Sequence, residues 1–216
     1  MTIKTILKMN KKVAILGVGV LGQHLAHFIT HYSDNEVVAW FDDTIEKNII
    51  INGKHVLGGQ NEISNFKDEF DELAIAIGYK HLKTKKSLIN EIKTLKIDLH
   101  TFIHPSAIID KSAKIGQNVI VFPGSVIGRN VIINDGVVLH NNVVVSHDSI
   151  IGNSSFLCPT VTLAGNVSIG SSCFIGIGTT IKDNISITDN CTIGAGSLVI
   201  QPILEKGTYI NEIKIK

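Results

Sequence analysis

His147 and Asp148 stand side by side, and such a pair can move a proton. A histidine in water titrates near 6.5, which suits a general base at neutral pH. A carboxylate beside it could hold one tautomer and stabilise the imidazolium. Adjacent strand residues face opposite ways, so Asp148 reaches His147 only if a chain corner turns between them. A surface histidine without chemistry is the competing reading. His140 lies seven residues earlier, at the start of HNNVVVSHD. The two histidines fall on different sides of a coil or near its corner, and across a subunit boundary they could converge. No further ligands at metal spacing accompany them, so no metal is expected.

A second set of residues could hold a phosphate. Gly17, Gly19 and Gly22 form GxGxxG between a strand-like and a helix-like segment. Such glycines allow a tight turn and bring a phosphate close to a helix N-terminus. Asp42 and Asp43 follow at the end of the next strand-like run, where an acid could meet a ribose. Alone, this pattern reads as dinucleotide binding. A full dinucleotide fold needs two halves, and only about one half fits before residue 103. One nucleotide diphosphate is the expected ligand, with a simple packing turn as the alternative. Gly78, Tyr79 and Lys80, followed by His81, lie at the end of another strand-like run. Lys80 there could meet a phosphate or could merely open a solvated helix, and Lys80, Lys83, Lys85 and Lys86 read together as an exposed face. His24, His27 and His31 read as a polar helix stripe. Cys173 and Cys191, eighteen apart, should stack and pack as small residues rather than pair.

The elements that must carry these groups are of two kinds. From Ile103 to Val199 every sixth residue is Ile, Leu or Val, with no insertion. A period of six cannot be a helix. It suits a two-residue strand and a turn, three to a coil, so that residues 18 apart stack at the strand spacing. Seventeen hexads make about 5.7 coils, a column of about 27 Å at roughly 4.8 Å per coil. Before them, strands are expected in KKVAILG, EVVAWFDD and DELAIAIG, with a hairpin in INGKHVLGG and a brief helix near 61–67. One helix should bury Leu21, Leu25, Phe28, Ile29 and Tyr32; another, over 81–95, should bury Leu82, Leu88, Ile89, Ile92 and Leu95. Alternation of this kind predicts a small Rossmann-like parallel sheet covered by helices.

Composition narrows the function. The 216 residues carry Lys+Arg 20 against Asp+Glu 19, a net charge of +1 that gives no general attraction to nucleic acid or anionic membrane. The 18% charged fraction and mean hydropathy of +0.26 exclude disorder. No apolar run nears the roughly 20 residues of a membrane span. The start, MTIKTILKMNKKVAILG, reads as neither secretion signal nor anchor. Three cysteines without CxxC fit a reducing cytoplasm.

The hexads from 103 to about 203 resemble the left-handed parallel β-helix of the hexapeptide-repeat acyltransferases. The handedness is implied by that resemblance alone. A small nucleotide-binding α/β domain directly before the hexads is similar to the bacterial NDP-4-amino-sugar N-acetyltransferases, with the sialic acid O-acetyltransferases of like layout close behind. The resemblance implies a Rossmann-like domain over 1–102 and a β-helix acyltransferase domain over 103–216. It implies that His147, in SHDSIIG, is the catalytic base, with Asp148 beside it. It implies that Gly17, Gly19, Gly22, Asp42 and Asp43 hold a sugar nucleotide; Gly78, Tyr79 and Lys80, at a strand end, and His140, seven residues before the base, are further expected substrate contacts. Gly165 and Gly176 match backbone positions along the coenzyme A groove, and Phe156 stands where the family often has a second histidine near the thioester. The chain departs from the family's pattern at Leu21, His140 and Phe156, and at 207–211, where the usual ending is replaced by GTYIN.

The expected activity is acetyl transfer from acetyl-CoA, the only co-substrate implied and with no metal, to the amine of a nucleotide-linked 4-amino-sugar. Backbone N–H groups near Gly165 would steady the oxyanion. The setting implied is a cytoplasmic homotrimer serving bacterial surface glycan synthesis, with acetyl-CoA between two solenoids. Sugar O-acetylation, a non-catalytic nucleotide-binding trimeric scaffold and an NAD-dependent dehydrogenase are the rival readings. Nucleic acid and membrane are not expected partners.

Overall fold

The structure is a computed structural model and describes residues 10–211 and 213–215. The residues before Asn10, which include most of the stretch read as neither signal nor anchor, lie outside the described ones. The described residues divide into two compact units, one through Ala76 and one from Ile77 onward.

The first unit is built on a three-stranded parallel sheet. Strands β1 (Lys12–Leu16), β2 (Glu36–Phe41) and β5 (Glu72–Ile75) lie in the order β2-β1-β5. All three are apolar runs that bury nearly every side chain, as a strand covered on both faces requires. Helix α1 (Val20–Tyr32) leaves the end of β1. Its inner face is Gly22, Leu25, Ala26 and Ile29, whereas Tyr32 is 46% exposed. The expected stripe was too wide, because small residues let the helix approach the sheet and leave the aromatic edge outside. A short hairpin, β3 (Ile50–Ile51) and β4 (Lys54–His55), and a 3-10 turn over Gln60–Phe66 complete the unit.

The second unit opens with a 3-10 turn (Tyr79–His81) and helix α2 (Leu82–Thr94). Seventeen two-residue strands follow, from β6 (Phe102–Ile103) to β22 (Leu198–Val199), one per hexad. They stack into three parallel sheets with partners 18 residues apart, as in Val126–Val144–Thr162. Each hexad sends two residues inward: the aliphatic of the period, such as Val145 and Leu163, and the residue two places before it, such as Val143 and Val161, all 0% exposed. The corners are uniform. Every sixth residue from Asn118 to Gly196 has φ between 53° and 72°, which is why Asn and Gly recur there. Strand β23 (Thr208–Ile210) extends one sheet, β24 (Ile213–Ile215) pairs with it antiparallel, and Tyr209 is buried at that end of the core.

Helix α2 lies on this solenoid: Ile89 packs against Gly136, and Lys93 is ion-paired with Asp135. That packing draws the contact boundary to residue 76, well before the repeats begin. Leu82, Leu88, Ile89 and Ile92 are buried as expected, whereas Leu95 is 43% exposed. Lys85, expected on a solvated face, is 0% exposed, because it shares the helix face of Leu82, Leu88 and Ile89. Cys173 and Cys191 are buried free thiols, and burial pushes Cys173 up to about 12. No helix among the described residues is long and apolar enough to cross a membrane.

Candidate active site

Residue 148 occupies one of the left-handed corners, with φ 57°. The chain therefore turns between His147 and Asp148, and both side chains leave the corner together. His147 Nδ1 lies 2.8 Å from Asp148 Oδ2. An ionised carboxylate only accepts, so Nδ1 carries the proton and Nε2 keeps its lone pair. The imidazole side chain is 53% exposed. Asp148 is held ionised: a hydrogen bond from Asn130, then that from His147, keep its carboxyl below the usual range, with Arg129 adding to them.

The ring has a floor. Gly165 sits one coil above His147 in the corner column, and a β-carbon at 165 would stand 2.5 Å from Cε1 and Nε2. Only glycine leaves the imidazole its place. One coil below, Arg129 Nη2 is 3.5 Å from Asp148 Oδ2 and Asn130 Nδ2 donates to Asp148 Oδ1 at 2.9 Å. The sequence reading missed both residues. Their signal was the repeat itself, since 129 and 130 are 147 and 148 less one coil of 18.

The other solenoid candidates gather on a different face. His140 stacks on Phe122 at 4.2 Å between ring centres, and Phe156 is 7% exposed beneath His140, Phe174 and Tyr79. The backbone N–H of Asn141 donates to His140 Nδ1 at 2.9 Å. Gly176 belongs to the same corner column as His140, and its lack of a side chain is required by Ala195 of the next coil. Tyr79, Lys80 and His81 line a shallow cavity of about 380 Å³ with Phe174 and Asn190, while nothing lies within 4 Å of where a β-carbon on Gly78 would be. Within one chain, then, His147, Asp148 and Gly165 come together, and His140, Phe156 and Gly176 do not join them.

In the first unit the glycine loop is shaped by its own acids. Gly17 has φ 105°, and a β-carbon on Gly22 would overlap the Gly17 carbonyl oxygen. Asp42 Oδ2 accepts the Val18 N–H at 2.8 Å, and Oδ1 accepts the Thr44 N–H and hydroxyl. Burial pushes its carboxyl up, but the bonds from Thr44 and Val18 outweigh this and hold it below the usual range. Asp43 Oδ1 accepts the Gln60 N–H at 2.7 Å. Gly19 is the exception: it caps α1 with φ −60° and nothing lies within 4 Å of where its β-carbon would be. Neither backbone nor packing requires glycine there, and what remains is open space over the helix N-terminus. Among the described residues no three His, Cys, Asp or Glu side chains are grouped to hold a metal.

Comparison with known proteins gives this geometry its context. The PglD N-terminal domain family matches residues 12–92, and the bacterial transferase hexapeptide family matches 112–147 and 166–201. A UDP-N-acetylbacillosamine N-acetyltransferase from Bacillus subtilis (strain 168) is 31% identical over 108 residues, 50% of this chain. The match spans 49% of that relative's length. The acetyltransferase domain of PglB from Neisseria gonorrhoeae FA1090, solved with acetyl coenzyme A, superposes with a TM-score of 0.84 at 25% identity over 92% of this chain and 95% of that one. PerB from Caulobacter crescentus, solved with CoA and GDP-perosamine, gives 0.83 at 26% identity over 91% and 92%. The N-terminal parallel sheet and the unbroken hexads agree with these findings: the chain joins a PglD N-terminal domain to bacterial transferase hexapeptide repeats, and it is similar over nine-tenths of its length to acetyltransferases built on the same plan.

Proposed function

We propose that the protein transfers the acetyl group of acetyl-CoA to the amine of a nucleotide-linked 4-amino-sugar. The observation that carries this is the half-exposed His147 with its Nδ1 tied to Asp148, in a chain that resembles PerB and PglB over nine-tenths of its length. The reaction needs little else. His147 Nε2 takes a proton from the amine as its nitrogen attacks the thioester carbonyl. The tetrahedral intermediate collapses, the C–S bond breaks, and the imidazolium returns the proton to the departing thiolate. Both substrates meet directly, so no acyl-enzyme is required. The nucleotide part is taken by the glycine loop, where the open space at Gly19 admits a phosphate to the N-terminus of α1.

The N-terminal nucleotide-binding domain is taken as 1–102 and the acyltransferase domain as 103–216. The working form is a homotrimer in the cytoplasm, with a role in bacterial surface glycan synthesis. Gly165 supports His147, and Gly78, Tyr79, Lys80 and His140 contact the acceptor. Phe156 and Gly176 belong to the donor groove.

The test offers acetyl-CoA with a panel of NDP-amino-sugars and follows free thiol and product mass. Transfer to a nucleotide-linked amine is expected. His147→Ala should lower kcat by roughly 10²–10⁴ with the fold intact. Transfer only to hydroxyls, or no thiol release with any acceptor, overturns the reading.

A further inference from the structure

The carboxylate that orients His147 is itself held, and the group that holds it is Asn130. Asp148 has two oxygens and both are committed. Oδ2 accepts from His147 Nδ1 at 2.8 Å, and Oδ1 accepts from Asn130 Nδ2 at 2.9 Å. A carboxylate has no proton to offer at this pH, so Asn130 must present its amide nitrogen and not its oxygen. Arg129 also reaches Asp148, but at 3.5 Å and with its side chain 67% exposed, so solvent weakens it.

Asn130 is anchored from the coil below. Its backbone N–H donates to Ser112 Oγ at 2.8 Å, and Ser112 Oγ donates to Asp110 Oδ1 at 2.6 Å. The backbone N–H of Asp148 is fixed in turn by the Arg129 carbonyl at 2.8 Å. The corner column is thus a stack of three short polar residues, 112, 130 and 148, each tied to the next at the 18-residue repeat. Its last link is the imidazole. Without the Asn130 amide, the Asp148 carboxylate would be oriented by little besides the ring it has to orient.

We infer that Asn130 is a positioning residue for catalysis: its amide fixes the rotation of the Asp148 carboxylate, and through it the tautomer and aim of His147. This rests on His147 being the base.

Two variants separate this role from a structural one. Asn130 has φ 56°, so Asn130→Gly keeps the left-handed corner without steric strain and removes the side chain that carries the amide. Asn130→Asp keeps size and turn tolerance but puts an acceptor against Asp148. Both should lower kcat roughly 10-fold or more with KM for both substrates unchanged and melting little altered. In an Asp148→Asn background, Asn130→Gly should cost nothing further, because groups acting through one another are not additive. His147→Ala is run alongside. If it stays active, the base assignment fails. If it is inactive while both Asn130 variants turn over like the parent, or while the Asn130 and Asp148 losses multiply, the inference about Asn130 alone is overturned.

Discussion

Asp148 can face His147 only because residue 148 takes the left-handed corner conformation that this solenoid imposes on every sixth residue. The same corner places Gly165 under the ring. That contact leads to a sharp expectation. In Gly165→Ala the new methyl would stand 2.5 Å from two ring atoms, far inside van der Waals contact. The imidazole is half-exposed and free to swing, so the side chain moves while the coils stay. The bond to Asp148 Oδ2 is then lost. Misplacing a reacting group by about 1 Å costs on the order of 100-fold in rate. Gly165→Ala should therefore lose roughly that much kcat while melting like the parent. Parental kcat in a folded Gly165→Ala protein would show that the ring needs no such seat.

At the scale of elements, the hexad strands were legible because one rule, an aliphatic every six residues, was repeated seventeen times. The glycine loop was legible from its strand–turn–helix setting. Helix α2 was harder. Its apolar spacing gave its limits within a residue or two, but Lys85 carries a charge and was assigned to water. Its neighbours on the helix face are Leu82, Leu88 and Ile89, and only packing shows that the stripe runs through it. Local pattern also could not reveal Asn130, since its partner is one coil away and contacts at that separation are legible only once the column is counted in eighteens. The buried lysine has a measurable signature. Lys85 Nζ has no hydrogen-bond partner among the described residues, and burial pulls its pKa from 10.5 down to about 7. Between those values the unfolded chain binds a proton that the folded protein does not. Stability therefore rises with pH across that window, and falls as pH drops from 10.5 toward 7. Lys85→Met should flatten this slope in thermal melts and raise the melting temperature at pH 7, because a buried unpaired amine is replaced by an apolar chain of similar length. A parental slope in the variant would place the titration elsewhere.

At the scale of the whole molecule, the three solenoid faces are unequal. On the face that carries Phe156 the outward residues Ile120 and Val138 are 1% exposed. On the other two faces outward aliphatics remain open: Ile108 at 66%, Leu198 at 53% and Ile150 at 42%. Flat parallel faces with exposed aliphatic rungs are suited to covering by further copies of the same column. Cyclic closure in threes would bury two faces of each column and leave the third to α2. It would also set the corner of His147 beside a neighbouring column, where a long thioester could lie. The mass expected by light scattering is about 70 kDa, three times the 23.4 kDa chain. Specific activity should fall on dilution in step with the loss of that species, as a donor groove shared by two columns would require. A monomer of full activity would refute both the threefold assembly and the shared groove.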